Sequence, residues 1–211
     1  MIRDYTDSDF KDCLSIVNEV WQFDKHFPPK ELSDLFLRIY AGGSYAGSNF
    51  VKVVEEDGRV KGFIFGKLEH RKLFKNEFSG LIGQIRILWK LLKIKRVPLK
   101  KKFSYLNMMN THEINRRKAE PRKSSEVTLF AAAPDSQGKG YGKLLINEFI
   151  SACKAENIKR IILETDAECN YGFYQNLGFN HITSFYSPLQ KEFTGVSGET
   201  FIFELIMRDT A

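Results

Sequence analysis

The sequence predicts an α/β protein, with helices flanking a central sheet, and three observations support this fold class. Strand and helix patterns alternate in the order β-α-α-β-β, an insertion, and then β-α-β-α-β-β. The chain has 211 residues, 43% of them hydrophobic, which is enough for one sizeable core. A glycine-rich turn joins a strand to a helix in the middle of the chain. We therefore expect residues 1–211 to form one domain.

The first third of the chain predicts a short strand, two helices and a hairpin. Apolar residues recur every three or four positions in the helices, and the strands are apolar runs rich in Val, Ile and Phe. We expect Ala41-Gly42-Gly43-Ser44 to end the second helix. Asp57-Gly58 predicts a tight hairpin turn, because glycine accepts positive φ. The expected elements are a strand at 2–5, a helix beginning near Phe10, a helix at 30–40, and strands at 50–55 and 60–68.

The last 90 residues predict two strand–helix units followed by a strand pair. Pro134 ends the first of these strands, and Gly178 closes the second helix. A turn-rich segment at 194–198 joins the final pair. The expected elements are strands at 127–133, 158–165, 179–186 and 199–207, and helices at 144–153 and 170–177.

The insertion at 71–123 differs from the rest of the chain in charge. It holds 16 Lys/Arg and 3 Asp/Glu, whereas the remaining residues hold 16 and 23. The chain is therefore an acidic body with one basic segment. Within the insertion, six apolar residues line one side of a predicted helix. They are Phe74, Phe78, Leu81, Ile85, Leu88 and Leu92. We expect this side to pack on the body, with a dimer seam or a lid over an acceptor pocket as the alternatives.

The composition indicates where the protein is located and whether it contains disulfides or a metal. There is no apolar run long enough to span a bilayer and no apolar stretch at the N-terminus, so we expect a cytoplasmic protein. The three cysteines are widely spaced and indicate neither disulfides nor a zinc site. The four histidines are scattered, so no metal is expected.

The glycine-rich turn at 137–142 predicts a phosphate-binding site. The first amides of a helix lack internal partners and attract anions, and glycines let a diphosphate approach the backbone closely. A Walker P-loop does not fit, because Leu144 follows Gly142-Lys143 where Ser or Thr is needed. A dinucleotide fingerprint does not fit either, because Lys143 stands at its third glycine.

Two motifs together resemble those of the GNAT acetyltransferases. The run Gln137-Gly138-Lys139-Gly140-Tyr141-Gly142 resembles the family signature Gln/Arg-x-x-Gly-x-Gly/Ala. Downstream, the run from Phe173-Tyr174 to Gly178-Phe179 resembles the second signature, Phe-Tyr-x-x-x-Gly-Phe. The resemblance covers about 1–70 and 124–208 and leaves the insertion out. It implies the GNAT fold, a mixed and mostly antiparallel sheet with flanking helices, here with a helical insertion between strands 3 and 4.

The resemblance also implies acetyl-CoA as cosubstrate. In the family, the pantetheine arm lies beside the strand before the turn, and the turn binds the pyrophosphate. An asparagine upstream of the tyrosine also contacts the cofactor in many relatives; Asn170 is closer than usual, and a helix N-cap is its alternative role. The implied cofactor-binding residues are Phe130, Ala131, Ala132, Gln137, Gly138, Lys139, Gly140, Tyr141, Gly142, Lys143 and Asn170.

The resemblance implies catalytic residues as well. Tyr174 matches the tyrosine that protonates the departing thiolate, and a phenol with an ordinary pKa of about 10 holds its proton at neutral pH. Glu126, eleven residues before Gln137, matches the catalytic glutamate of the histone-acetylating branch and is the first candidate base. Glu164 and Asp166 are the alternatives. We expect direct attack in a ternary complex, with a backbone N–H near Ala132 polarising the thioester carbonyl.

Three functions remain open from the sequence. The first is N-acetylation of a primary amine of a small molecule or peptide. The second is a noncatalytic coenzyme-A-binding domain with the same fold. The third is binding of an anionic surface, nucleic acid or membrane, through the basic insertion, although no nucleic-acid motif is recognised. A homodimer is a further possibility.

Overall fold

A computed structural model describes residues 1–76, 79–166, 171–195 and 197–207, with the side chains of 193 and 194 left out. Within these residues, seven strands form one sheet in the order β1-β2-β3-β4-β5-β7-β6. β4 and β5 are parallel, and all other neighbours are antiparallel, which confirms the predicted mixed sheet. The strands are β1 Ile2–Asp4, β2 Phe50–Glu56, β3 Arg59–Lys67, β4 Ser125–Ala132, β5 Arg160–Asp166, β6 Asn180–Tyr186 and β7 Glu199–Ile206.

Helices cover both sides of this sheet. The side chains of α1 and α3 pack into one core cluster, and those of α6 and α7 pack into another on the opposite side. The helices are α1 Phe10–Trp21, α2 Phe23–His26, α3 Lys30–Ala46, α4 Gly80–Lys93, α5 Leu99–Ala119, α6 Tyr141–Ala155, α7 Tyr171–Gln175 and α8 Pro188–Thr194. The predicted flanking helices are therefore confirmed.

The end predicted for the second helix is wrong. α3 continues through Gly42 and Gly43 to Ala46. Ala41 and Gly42 are buried, and the ring of Tyr45 lies 5.7 Å from that of Phe65 in the sheet. Packing of the last helical turn against the sheet thus outweighs the low helix propensity of glycine.

The two hairpins differ in how well the sequence predicts them. The turn between β2 and β3 is confirmed, since Asp57 and Gly58 have φ of 52° and 73°. The last two strands pair as predicted, but their connection contains α8, which was not predicted. Ser187 caps α8 by accepting a hydrogen bond from the Gln190 amide, and Pro188 occupies its first turn. Ser-Pro is a helix-start signal that could have indicated this helix.

A bulge in β4 divides this strand between the two cores. Phe65 pairs with Leu129 and Gly66 with Val127, which leaves Thr128 as an extra residue. Val127 packs into the α6 core, whereas Leu129 and Ala131 pack into the α1–α3 core. The Thr128 hydroxyl lies 3.1 Å from the Phe65 carbonyl oxygen, to which it donates, and 2.7 Å from the Ser48 hydroxyl. The extra residue is therefore held in place by side-chain hydrogen bonds.

The insertion forms two helices rather than one long pattern. Phe74 lies before α4, where its backbone N–H donates to Ser48 and its ring stacks on Tyr45; Phe78 lies outside the described residues. The expectation that the apolar side of α4 packs on the body is wrong. Leu81 and Ile85, for example, are 71% and 59% exposed. The buried residues of α4 are Gly83 and Leu91, on another side of the helix.

α5 is held firmly against the body. Tyr105 is buried with its ring 5.4 Å from that of Phe27 and 5.1 Å from that of Phe36. The buried Lys102 ammonium donates to the Leu92 carbonyl oxygen at 2.9 Å and so caps the end of α4. Further along, α5 packs on β6 and α8. Of the helices described, none is long and apolar enough to cross a membrane.

Candidate active site

The parallel strands β4 and β5 separate towards their carboxyl ends. Their pairing begins at Ser125 with Ile161 and stops at Val127 with Leu163. β4 continues to Ala132 and β5 to Asp166 without further pairing between them. The next residues at the opening are Thr128, in the bulge, and Glu164. The sheet therefore has an opening between β4 and β5, at the end of β4 that leads into the glycine-rich turn.

The glycine-rich turn lies at the start of a helix, as predicted. Gly138 and Gly140 have φ of 80° and 76°, values that residues other than glycine rarely adopt. Gly140 is the N-cap of α6, and the turn is exposed to solvent. A Cβ added at Gly138 or Gly140 would meet nothing within 4 Å, so space above the backbone is open. These exposed amides at a helix start fit a diphosphate.

The charge at the turn is partly neutralised. The Lys139 ammonium lies 2.7 Å from the Glu56 carboxylate, which also accepts a hydrogen bond from the Tyr141 hydroxyl at 2.8 Å. These bonds hold the pKa of Glu56 below its usual value. Lys143, in the first turn of α6, is exposed. Lys143 is therefore the better placed of the two lysines to meet an anion.

Aromatic side chains lie beside the turn. The rings of Phe130 on β4 and Phe173 on α7 are parallel, with centroids 6.1 Å apart. A Cβ at Gly142 would lie 3.0 Å from Phe130 and 3.3 Å from Phe173, so the two rings approach this glycine closely. Of the other residues predicted to meet the pantetheine arm, Ala131 is buried and Ala132 is half-buried.

Tyr174 occupies the buried side of α7. Its ring lies 5.2 Å from that of Phe173 and 6.2 Å from that of Phe203. Because Phe173 contacts β4 through Phe130, α7 carries Tyr174 close to the part of β4 that β5 has left. Asn170, also predicted to bind the cofactor, lies outside the described residues.

Arg116 of α5 joins the two strands through their carboxylates. Its guanidinium forms an ion pair with Glu126 on β4, and its Nε lies 3.0 Å from Glu164 on β5. All three side chains are largely removed from solvent, with exposed fractions between 19% and 25%. The predicted base and its first alternative are therefore brought together by a cation from the insertion.

The two glutamates and the arginine perturb one another. Burial raises the pKa of Glu164 to about 7, and the charge of Glu126 adds to this, while Arg116 opposes it. The burial that lowers the pKa of Arg116 is outweighed by the two glutamates, and its pKa is raised. Glu164 is thus poised to gain or lose a proton near neutral pH.

His112 extends the cluster by one helical turn. Its Nδ1 lies 2.9 Å from the Ser187 hydroxyl and its Nε2 lies 3.4 Å from Glu164. Burial, with the nearby Arg116 charge, lowers the pKa of His112, so the ring is neutral at pH 7. Since Ser187 accepts from Gln190, its own proton can go to Nδ1, which leaves Nε2–H facing Glu164.

The sequence indicated only part of this cluster. Glu126 and Glu164 were candidates, whereas Arg116 and His112 were not. They stand four residues apart, so they share one side of α5. This spacing is visible in the sequence, but no sequence pattern predicted that this side of α5 would contact the sheet. The third carboxylate, Asp166, accepts a hydrogen bond from the side-chain amide Nε2 of Gln190 on α8 at 3.0 Å.

Comparison with known proteins identifies the family. The family described as "Acetyltransferase (GNAT) family" matches residues 11–179. Because this match covers most of the chain, the protein belongs to the GNAT acetyltransferase family, whose members use acetyl-CoA. No protein of curated function matches the sequence.

Several solved structures share the fold. The ribosomal-protein-S18-alanine N-acetyltransferase from Escherichia coli is similar with a TM-score of 0.54 at 14% identity, over 100% of this chain and 97% of that one. Ard1 from Thermoplasma volcanium is similar with a TM-score of 0.55 at 15% identity, over 99% of this chain and 98% of that one. The PaiA N-acetyltransferase from Thermoplasma acidophilum, solved in complex with coenzyme A, gives 0.53 at 15% identity, over 98% of each chain. At such identities these likenesses show the fold alone.

Proposed function

We propose that this protein transfers an acetyl group from acetyl-CoA to a primary amine of a small molecule or peptide. One observation carries the proposal. The opening between β4 and β5 has the glycine-rich helix start at one end and Glu164, with a pKa near 7, at the other. A thioester carrier bound by its diphosphate at Gln137–Gly142 would extend along this opening towards the carboxylate.

The residues present fit acetyl-CoA, which supplies the thioester. The backbone amides after Gly138 and Gly140 would bind the pyrophosphate, with Lys143 adding charge. Phe130 and Ala132 would border the pantetheine arm, and the part of β4 unpaired with β5 would supply backbone groups to it. A backbone N–H near Ala132 remains the predicted donor to the thioester oxygen.

Glu164 is the base that the geometry favours. An amine must lose a proton to attack, and a carboxylate with a pKa near 7 can accept that proton at neutral pH. Glu164 also stands at the first position where β5 leaves β4. Glu126, the first candidate from the sequence, lies two strand positions before that point on the β4 side, and like Glu164 it pairs with Arg116. We therefore assign to Glu126 the task of orienting Arg116.

In the proposed transfer, every proton and both electron pairs are accounted for by the acceptor, Glu164, Tyr174 and the thioester. The amine nitrogen attacks the thioester carbonyl carbon, a carbon–nitrogen bond forms and the carbon–sulfur bond breaks. The ammonium form of the acceptor gives one proton to Glu164 before attack, and the Tyr174 hydroxyl gives its proton to the departing thiolate. The second nitrogen proton, released as the amide forms, returns to the Tyr174 oxygen. Both cysteines in the described residues are buried, and burial raises their pKa, which disfavours an acyl-enzyme.

The carboxylates of Glu126, Glu164 and Asp166 favour a cationic acceptor. The helix α5 and the segment Ser187–Gln190 form the wall on this side, so the insertion restricts which amines reach Glu164. The similar protein from Escherichia coli is named for acetylating a protein alanine. A panel of acceptors should therefore include peptides with free N-termini beside polyamines and lysine derivatives.

The glycine-rich turn gives the first test. Gly140→Asp introduces a side chain at a φ of 76° and a negative charge at the proposed diphosphate site. We expect calorimetry to show coenzyme-A affinity reduced by at least about a hundredfold, since charge and strain act together. Lys123→Gln, outside the turn, lowers the net charge by the same one unit and serves as the control. Unchanged affinity in Gly140→Asp would contradict the proposed diphosphate site.

A noncatalytic coenzyme-A-binding domain is the alternative function. Thiol release from acetyl-CoA, measured across the amine panel, separates the two. Release that depends on an amine supports the transferase. Thermal stabilisation by coenzyme A with no release for any amine would support the alternative.

A further inference from the structure

Helix α4 presents a large apolar surface to solvent. Six side chains on it are between 40% and 73% exposed, namely Leu81, Ile82, Ile85, Leu88, Trp89 and Leu92. At 3.6 residues per turn they fall within about 120° of the helix circumference, so they form one continuous strip. A strip of this kind on a protein surface marks an interaction site.

This strip is distinct from the side of α4 that packs on the protein. Gly83 and Leu91 are buried and Ile87 is half-buried, and they lie on the remaining side of the helix. The end of α4 is held by the Lys102 ammonium, which donates to the Leu92 carbonyl oxygen. The helix is therefore fixed in place with its apolar strip directed outwards.

The charge around the strip is positive. Arg86, Lys90 and Lys93 adjoin it on one side, and the Lys93 ammonium lies 3.3 Å from the centre of the Trp89 ring. Residues 78–112 contain eight Lys/Arg and no Asp/Glu. An exposed tryptophan, an aliphatic strip and lysines beside it on one helix are typical of helices that lie in a membrane interface.

We propose that α4 docks this protein on an anionic phospholipid bilayer. The six apolar side chains enter the boundary between headgroups and acyl chains, with Trp89 at headgroup level. Arg86, Lys90 and Lys93 contact lipid phosphates. With 14 residues, α4 is too short to span the bilayer and lies along its surface.

Charge complementarity favours a bilayer over a second copy of the chain or a nucleic acid as the partner of this strip. A second copy of the chain would bring the same positive segment against itself, with no acidic residue between 78 and 112 to offset it. A nucleic acid would pair with the lysines but would leave the six apolar side chains in water. An anionic bilayer satisfies both features at once.

The experiment uses the full chain and vesicles of defined composition. Sedimentation is measured with phosphatidylcholine vesicles and with vesicles containing one quarter phosphatidylglycerol, at low and high salt. A Trp21→Phe background leaves Trp89 as the single tryptophan, whose emission reports its environment. We expect binding to the anionic vesicles alone, weakened by salt, with a blue shift of Trp89 emission.

Variants identify the surface. Ile82→Ser with Ile85→Ser should reduce vesicle affinity at least about tenfold, because each removes buried hydrocarbon. Lys90→Gln with Lys93→Gln should reduce it about fivefold for each charge and should flatten the salt dependence. Val20→Ser with Ile206→Ser removes exposed apolar side chains elsewhere and should leave binding unchanged. Circular dichroism melts verify that each variant is folded.

Four outcomes would overturn the proposal. The first is no sedimentation with anionic vesicles at low salt. The second is binding that the α4 variants leave unchanged. The third is a concentration-dependent dimer, seen by analytical ultracentrifugation and abolished by Ile82→Ser with Ile85→Ser, in a protein that does not bind vesicles. Retention by single-stranded RNA without vesicle binding would equally reject the bilayer.

Discussion

The two helices of the insertion are organised in opposite ways. α4 is strongly amphipathic, yet its apolar strip faces solvent and Gly83 and Leu91 make its contacts. α5 is mostly polar, yet it places Tyr105 in the core and Arg116 between two buried carboxylates. An apolar pattern therefore predicts that a helix forms, but it does not decide which side meets the body. In our proposals, α4 supplies a surface contact and α5 supplies the arginine that pairs with the base.

The largest expected effect concerns the carboxylate that α5 covers. Glu164→Gln should lower kcat by about a hundredfold to a thousandfold, because the proposed base is lost. In the wild type, kcat/KM should rise with pH through about 7 as Glu164 loses its proton. The variant should lack the inflection near pH 7 when thiol release is measured from pH 5.5 to 9, and its rate should follow the deprotonation of the amine alone. Glu19→Gln, at an exposed glutamate of α1, is the matched control.

The same carboxylate links pH to stability. Its pKa is raised from 4.5 to about 7 on folding, so the folded state holds the proton more tightly than the unfolded state. Its contribution to stability is present below pH 4.5 and is lost as pH rises through 7. Glu164→Gln should therefore show less loss of melting temperature over this range than the wild type.

Tyr174→Phe should have the next largest effect. Loss of the phenolic proton should reduce kcat by about tenfold to a hundredfold with little change in coenzyme-A affinity. The ring contacts of Tyr174 survive in phenylalanine, so the fold should be preserved. Tyr186→Phe, at a tyrosine that is 52% exposed, is the control. Equal kcat in Tyr174→Phe and the wild type would remove the general-acid assignment.

Arg116→Met tests whether α5 tunes the site. Removal of the guanidinium leaves Glu126 and Glu164 without their shared cation, and the pKa of Glu164 should rise further. We expect activity to fall about tenfold at pH 7 and to recover at pH 9. A merely structural role would lower activity equally at both pH values. Arg117→Met, one residue along and exposed, should leave the pH profile unchanged.

The smallest effect should come from α4. Ile82→Ser with Ile85→Ser should keep kcat/KM for a soluble amine within about twofold of the wild type, since exposed substitutions change stability by about 0.5 kcal/mol or less. A tenfold loss would show that the two helices act on the site together. That result would remove the contrast between them.

The sequence predicted the sheet well because its signals are local. Asp57-Gly58 set one hairpin, and the two family motifs fixed the order of β4, α6, β5 and α7. The end of α3 was not predictable, because Gly42 is kept helical by tertiary packing. The contact of Arg116 with Glu126 and Glu164 was not predictable either. It depends on how an insertion with no counterpart in the family motifs lies on the sheet.

The extra residue in β4, Thr128, affects the opening beside β5 but not the packing of the two hydrophobic cores. If Thr128 were deleted, Val127 would still point towards α6 and Leu129 towards α1, so both hydrophobic layers would survive. The strand would lose its bend and could stay in register with β5 beyond Leu163. Such a chain would keep its shape yet lose the opening in which we propose that the thioester binds. If that proposal holds, the reaction depends on the length of one strand as much as on any side chain in it.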